Sequence, residues 1–264
     1  MISLVIYSKK HKFLFLKGVK VAGTSVEIAL ASICGEEDII SPIANIDERY
    51  RVQSGIRHAQ NYGAKTSEIK AFIDWLLKIP TEQITSRQHP KGIVNNHMPL
   101  KRIYKTLHTI HPEIYDAKVL AIVRSPYQQI LSRLNHKGSF KNYKSSGEAM
   151  KISTNQLKRN LDDYIKKLCG REINQFKSKN FQIYDSSFDP SIHVNFIRFE
   201  DIENQLNQTL RSLGIKDVVD LPFAKKGIQS SSNLLKEIAT KEHIEIINQY
   251  HRQDFERFGY EMIN

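Results

Sequence analysis

Short apolar runs of four to six residues alternate along the chain with longer stretches whose apolar residues recur every three or four positions, a pattern of strands interleaved with helices. "SLVIY" (3–7) and "KFLFL" (12–16), with the polar "SKKHK" as the turn between them, predict a hairpin or two neighbouring strands. The second run leads into a glycine loop, and in "SVEIALASI" Val26, Ala29, Leu30 and Ile33 fall on one helical face, so the unit reads strand, loop, helix. Residues 35–62 lack clear periodicity and predict an extended surface connection. "SEIKAFIDWLLKI" (67–79), with the chain's single tryptophan, Trp75, predicts an amphipathic helix, and "PLKRIYKTLHTI" predicts another with Pro99 near its first turn. "KVLAIV" (118–123) is unbroken, as expected of a strand buried on both faces of a parallel sheet. Ser125 and Pro126 then suit the cap and first position of a helix. A polar loop at 137–152, a helix at about 153–168, a strand at "VNFIRF" (194–199) and helices near 203–213 and 232–257 complete the series. The expectation is α/β: a single P-loop-like domain over residues 1–264, with a central mainly parallel β-sheet flanked by helices.

A chain of 264 residues that is 40% hydrophobic has enough apolar material for a substantial core. With 39 basic and 28 acidic residues the net charge is +11, which favours anionic partners. The positive residues are spread along the chain, without helix-turn-helix, zinc-finger or interleaved aromatic and basic patterning, so no specific nucleic-acid partner is expected; a basic nucleic-acid-binding protein is kept as an alternative. Cys34 and Cys169 form neither a disulfide framework nor a C-x-x-C pair. His108 and His111 have no carboxylate or cysteine set beside them at ligand spacing, so no metal is expected. No basic segment precedes the first apolar run and no stretch nears the roughly 20 apolar residues of a membrane span, which predicts a cytoplasmic protein without a transmembrane segment.

"KGVKVAGTSVEIAL" (17–30) carries the chemistry. Gly18 and Gly23 are spaced as in the nucleotide loop G-x-x-x-x-G-K-[ST], and Ser25 stands where the magnesium-binding hydroxyl would be, but Thr24 replaces the lysine and Lys20 lies inside the loop. Where a phosphoryl-transfer enzyme needs an aspartate for magnesium at the end of another buried strand, "KVLAIV" is followed by Arg124, a cation suited to a phosphate. Loop and strand end agree on an anion site that works without a metal; a divergent P-loop small-molecule kinase is the remaining alternative.

"KGVKVAGTSVEIAL" resembles the 5′-phosphosulfate loop of the sulfotransferases, and "VLAIVRSPYQQILSRL" is similar to their 3′-phosphate segment, an arginine after a strand and a serine eight residues on. "NFIRFEDI" (195–202) resembles a third block, and "YHRQDFERFGYEM" is similar to bacterial members. The resemblance implies transfer of a sulfuryl group from 3′-phosphoadenosine 5′-phosphosulfate to an acceptor hydroxyl or amine, with a bacterial saccharide or a glycolipid as the expected acceptor class and small metabolites as the alternative. It assigns Lys20 to the phosphosulfate and the charge developing on the bridging oxygen, and Gly23, Thr24 and Ser25 to the 5′-phosphate, with Val21 and Ala22 completing the loop's contacts. Arg124 and Ser132 take the 3′-phosphate. The family usually has proline before the lysine; here it is Val19, and Lys17 is expected to share the lysine's work. In "FAKKGIQSSSN" (223–233), Lys225, Lys226 and Gly227 resemble a segment that closes over the 3′-phosphate. For the general base, a histidine with an ordinary pKa near 6.5 suits an attacking hydroxyl. His97 in "NNHMPL" resembles the asparagine-histidine of carbohydrate sulfotransferases, which implies His97 as the base with Asn96 orienting the site, and His58 and His89 stand in reserve.

Overall fold

The computed structural model describes residues 5–84, 87–93, 97–139, 152–222 and 231–263. Its strands are β1 (Val5–Ser8), β2 (Phe13–Leu16), β3 (Ile39–Ile40), β4 (Lys118–Val123) and β5 (Val194–Arg198). The helices that bear on the argument are α1 (Gly23–Ala31), α2 (Asn45–Gln53), α3 (Thr66–Lys78), α4 (Leu100–Leu107), α5 (Pro126–Ser139), α6 (Thr154–Cys169), α7 (Lys179–Ile183), α8 (Ile202–Ser212), α9 (Ser231–Ile238), α10 (Lys241–Tyr250) and α11 (Arg252–Phe258). None of the described helices is long and apolar enough to cross a membrane. The chain divides into two compact units, Met1–Val123 with Ile183–Ala224, and Arg124–Gln182 with Lys225–Asn264.

The first unit is the α/β body the sequence predicts, built on one five-stranded sheet in the order β3-β1-β2-β4-β5. A four-residue turn joins β1 to β2 and leaves only the antiparallel pairing open to them, from Val5 opposite Leu16 to Ser8 opposite Phe13. Asp38 holds that turn, accepting from the Lys9 and Lys10 N–H groups and from the Ser8 hydroxyl. The roughly hundred-residue connection from β2 to β4 is long enough for a crossover, and β2, β4 and β5 run parallel, Leu16 beside Ala121 and Ile122 beside Ile197. β4 is buried at every position but Lys118. One sheet face, with Ile6, Phe13, Phe15, Leu120, Ile122 and Ile197, packs on Val26, Ala29 and Leu30 of α1 and on Leu206 and Leu210 of α8. On the other face His111, just past α4, meets Tyr7, while Tyr184 meets Phe196 and donates its hydroxyl to the Ile122 carbonyl.

The second unit is helical. Ile130, Leu131 and Leu134 of α5, Leu157, Leu161 and Ile165 of α6, Leu235 of α9 and Ile247 of α10 recur at helical spacing and close one core. Tyr127 joins that core while its hydroxyl donates to Asn248 and accepts from the Ile263 N–H.

Two sequence expectations need correction, and one reaches further than the sequence showed. Residues 35–62 are not a surface connection: they supply β3, α2 and the buried Ile39, Ile40, Ile43, Ala59 and Tyr62. α1 forms where the sequence places it, with Val26, Ala29, Leu30 and, just past its end, Ile33 buried in the core as one face, and its other side is buried as well, all its residues except Thr24 being buried. The predicted helix over 232–257 is three helices, because Thr240 caps α10 in a reciprocal box with His243 and the backbone leaves helical geometry again at His251.

Candidate active site

β2 ends at Leu16, and the chain passes through the loop into α1. Lys20 and Ala22 adopt left-handed backbone, with φ of 62° and 61°, whereas Val21 and Gly23 do not. Such alternation turns successive N–H groups to one side and makes a concavity for an anion. Ala22 is the N-cap of α1 and brings no side-chain acceptor, so the positive end of the helix faces the loop without a side-chain cap. Among the described residues five non-glycines have positive φ, and three of them, Lys20, Ala22 and His97 (51°), belong to this loop or touch it. Left-handed backbone costs a non-glycine about 1–2 kcal/mol, so its concentration here marks a conformation held by its surroundings.

Lys17 runs across the loop rather than out of it. Its ammonium lies 2.8 Å from Thr24 Oγ1 and 2.7 Å from Glu27 Oε2, and the residue is only 9% exposed. The stem passes so close to Gly23 that a Cβ there would come within 2.4 Å of Lys17 Cγ, which is why this position takes glycine. The main-chain oxygen of Lys17 is 3.2 Å from His97 Nδ1. The first unit thus brings together Lys17, the glycine loop, the start of α1 and His97.

A buried charged group lies behind the loop. Burial pushes the Glu27 carboxyl up to about 7, opposed by Lys17 and Arg51. Burial also raises Asp47, again against Lys17. Glu48 and Arg51 form a fully buried ion pair at 2.6 Å; burial alone would raise the Glu48 carboxyl, but Arg51 and the Ala59 N–H hold it below the ordinary value. Glu27, Asp47, Glu48 and Arg51 were missed by sequence reasoning. Glu27 lies off the apolar positions Val26, Ala29, Leu30 and Ile33, and α2 buries Asn45, Glu48 and Arg51 in place of an apolar stripe.

The reserve histidines have other engagements. His58 Nδ1 bonds the Ala59 carbonyl, and His89 packs on Phe72 with ring centroids 4.2 Å apart, burial pushing its pKa down to about 4. His108 faces Tyr115, and His111 lies near Glu113 and Tyr7; no group of three metal-ligating side chains occurs among the described residues.

Arg124 directly follows β4 and belongs to the second unit, where it is 5% exposed; its Nε donates to Gln128 Oε1 at 3.0 Å and its carbonyl accepts from Gln129 Nε2 at 2.7 Å. Asn180 in turn donates to Gln129. Ser132 stands half-buried two turns along α5. Asn96, Lys225, Lys226, Gly227 and residues 140–151 of the predicted loop lie outside the described residues.

A family model described as "Sulfotransferase family" matches residues 3–261, nearly the whole chain. No curated protein and no solved structure matches it.

Proposed function

The chain belongs to the Sulfotransferase family, and we propose that it moves a sulfuryl group from 3′-phosphoadenosine 5′-phosphosulfate to a hydroxyl of a saccharide or glycolipid. The observation that carries the residue assignment is the contact between His97 Nδ1 and the Lys17 main-chain oxygen. A carbonyl only accepts, so Nδ1 bears the hydrogen, and in the neutral imidazole the lone pair a general base needs then lies on Nε2. The acceptor hydroxyl gives its proton to His97 Nε2 as its oxygen bonds to sulfur. The bond from sulfur to the bridging oxygen breaks, and its electron pair leaves with the 5′-phosphate as adenosine 3′,5′-bisphosphate.

Transfer of this kind is governed by positioning and by stabilisation of charge on the leaving oxygen. Lys20 supplies that charge, Gly23, Thr24 and Ser25 hold the 5′-phosphate with Val21 and Ala22 shaping the backbone around it, and Arg124 and Ser132 take the 3′-phosphate. A net charge of +11 favours the anionic donor and an acidic saccharide alike. The match over residues 3–261 supports one sulfotransferase domain.

Thermal stabilisation by adenosine 3′,5′-bisphosphate, compared with AMP and ATP, tests the donor. The bisphosphate is expected to raise the melting temperature most; equal or greater stabilisation by ATP would overturn the assignment. Labelled donor offered with neutral and acidic saccharides and glycolipids then tests the acceptor, with label expected in the saccharide fraction.

A further inference from the structure

Glu27 is 1% exposed, and its two carboxylate oxygens have unlike surroundings. Oε2 accepts from Lys17 Nζ at 2.7 Å, while Oε1 is buried with no hydrogen-bond partner among the described residues. A buried carboxylate in that state is stabilised chiefly by its ion pair, so it holds the ammonium in place. A second donor hydrogen of that ammonium goes to Thr24 Oγ1 at 2.8 Å. A hydroxyl has one hydrogen and two lone pairs. With a lone pair engaged by Lys17, the Thr24 hydrogen points away from Lys17 and is left to donate. Thr24 is the second residue of α1, at the positive end of the helix, and Gly23 leaves the passage through which Lys17 reaches both partners.

We propose that Glu27 is a positioning residue of the donor site: by anchoring Lys17 it makes the Thr24 hydroxyl a fixed hydrogen-bond donor to a phosphate oxygen of the sulfated nucleotide. This rests on the donor reading given above. Arg51 and Glu48 act on Glu27 through their fields, whereas Lys17 alone connects it to Thr24 through the contacts described.

The test is a double-mutant cycle read as affinity for adenosine 3′,5′-bisphosphate, with the parent, Glu27→Gln, Thr24→Val and the double variant, each checked for folding by its melting curve. Each single change is expected to weaken binding about tenfold, and the double variant is expected to be no worse than either, a coupling of about tenfold. Thr24→Ser, which keeps the hydroxyl, is expected to bind within about twofold of the parent. If the losses multiply to about a hundredfold, Glu27 does not act through Thr24 and the proposal fails while the donor reading stands. If the folded parent does not bind the bisphosphate, the donor reading fails and the proposal with it. Should Glu27→Gln not fold, Lys17→Met takes its place in the cycle with the same expected coupling, since a carboxyl already raised to about 7 can stay buried in its neutral form.

Discussion

His97 Nδ1 and the main-chain oxygen of Lys17, 80 residues apart in the chain, lie 3.2 Å from each other. The contact orients the imidazole on the loop's own backbone. His97→Asn, which tolerates the left-handed backbone at this position, is expected to lower kcat by about 10²–10⁴ and to leave bisphosphate affinity within about twofold. Steady-state rates and a binding titration check this. Parental turnover would move the base to His58 or His89.

Lys20 and Arg124 should fail in opposite ways. Lys20→Ala keeps the same strained backbone, so the comparison isolates the ammonium; kcat is expected to fall about 10²–10³-fold. Arg124→Ala is expected to weaken bisphosphate binding about 10–100-fold, with kcat at saturating donor little changed. If the two signatures were exchanged, so would be the ends of the nucleotide.

Ala22 adopts φ 61° and ψ 21° at the N-cap of α1. Glycine accepts that conformation without a Cβ clash, so Ala22→Gly is expected to stabilise the fold by about 1 kcal/mol and raise the melting temperature by about 2–4 °C. A lower melting temperature would show that the Ala22 methyl contributes packing that outweighs the strain.

His89, partly buried with its Nε2 out of reach of solvent, gives stability a definite pH dependence. Burial lowers its folded pKa to about 4, against an ordinary value near 6.5, with Arg51 acting in the same direction and Glu48 and the Ile43 backbone opposing. Between those values the unfolded chain binds more protons than the folded one, so this contribution is full above about pH 6.5 and declines as pH falls toward 4, by at most about 1.4 kcal/mol per pH unit. Denaturant midpoints for the parent and His89→Gln across that window should diverge, the parent losing more on acidification. Parallel curves would place the titration elsewhere.

The parts of the fold legible in the sequence were those whose burial is apolar. β4 is a run of aliphatic residues ending at Arg124, and its observed limits are the predicted ones. α2 escaped because its buried positions are Asn45, Glu48 and Arg51, which no search for apolar periodicity finds. The break at Thr240 escaped because its capping box closes on a histidine where glutamate is the usual signal. In the candidate site, Lys20 and Gly23 were readable as a spaced motif. The Lys17–Glu27 pair was not, since its partners lie on opposite sides of the loop and meet only when Lys17 crosses Gly23.

β2 is the middle strand of five, hydrogen-bonded on one side to β1 and on the other to β4. The glycine loop therefore hangs from a strand with no exposed edge, and freeing its anchor means separating the sheet. Amide hydrogens of Phe15 and Leu16 should exchange only through global opening, so whatever motion admits and releases nucleotide must come from elements other than the loop's own root.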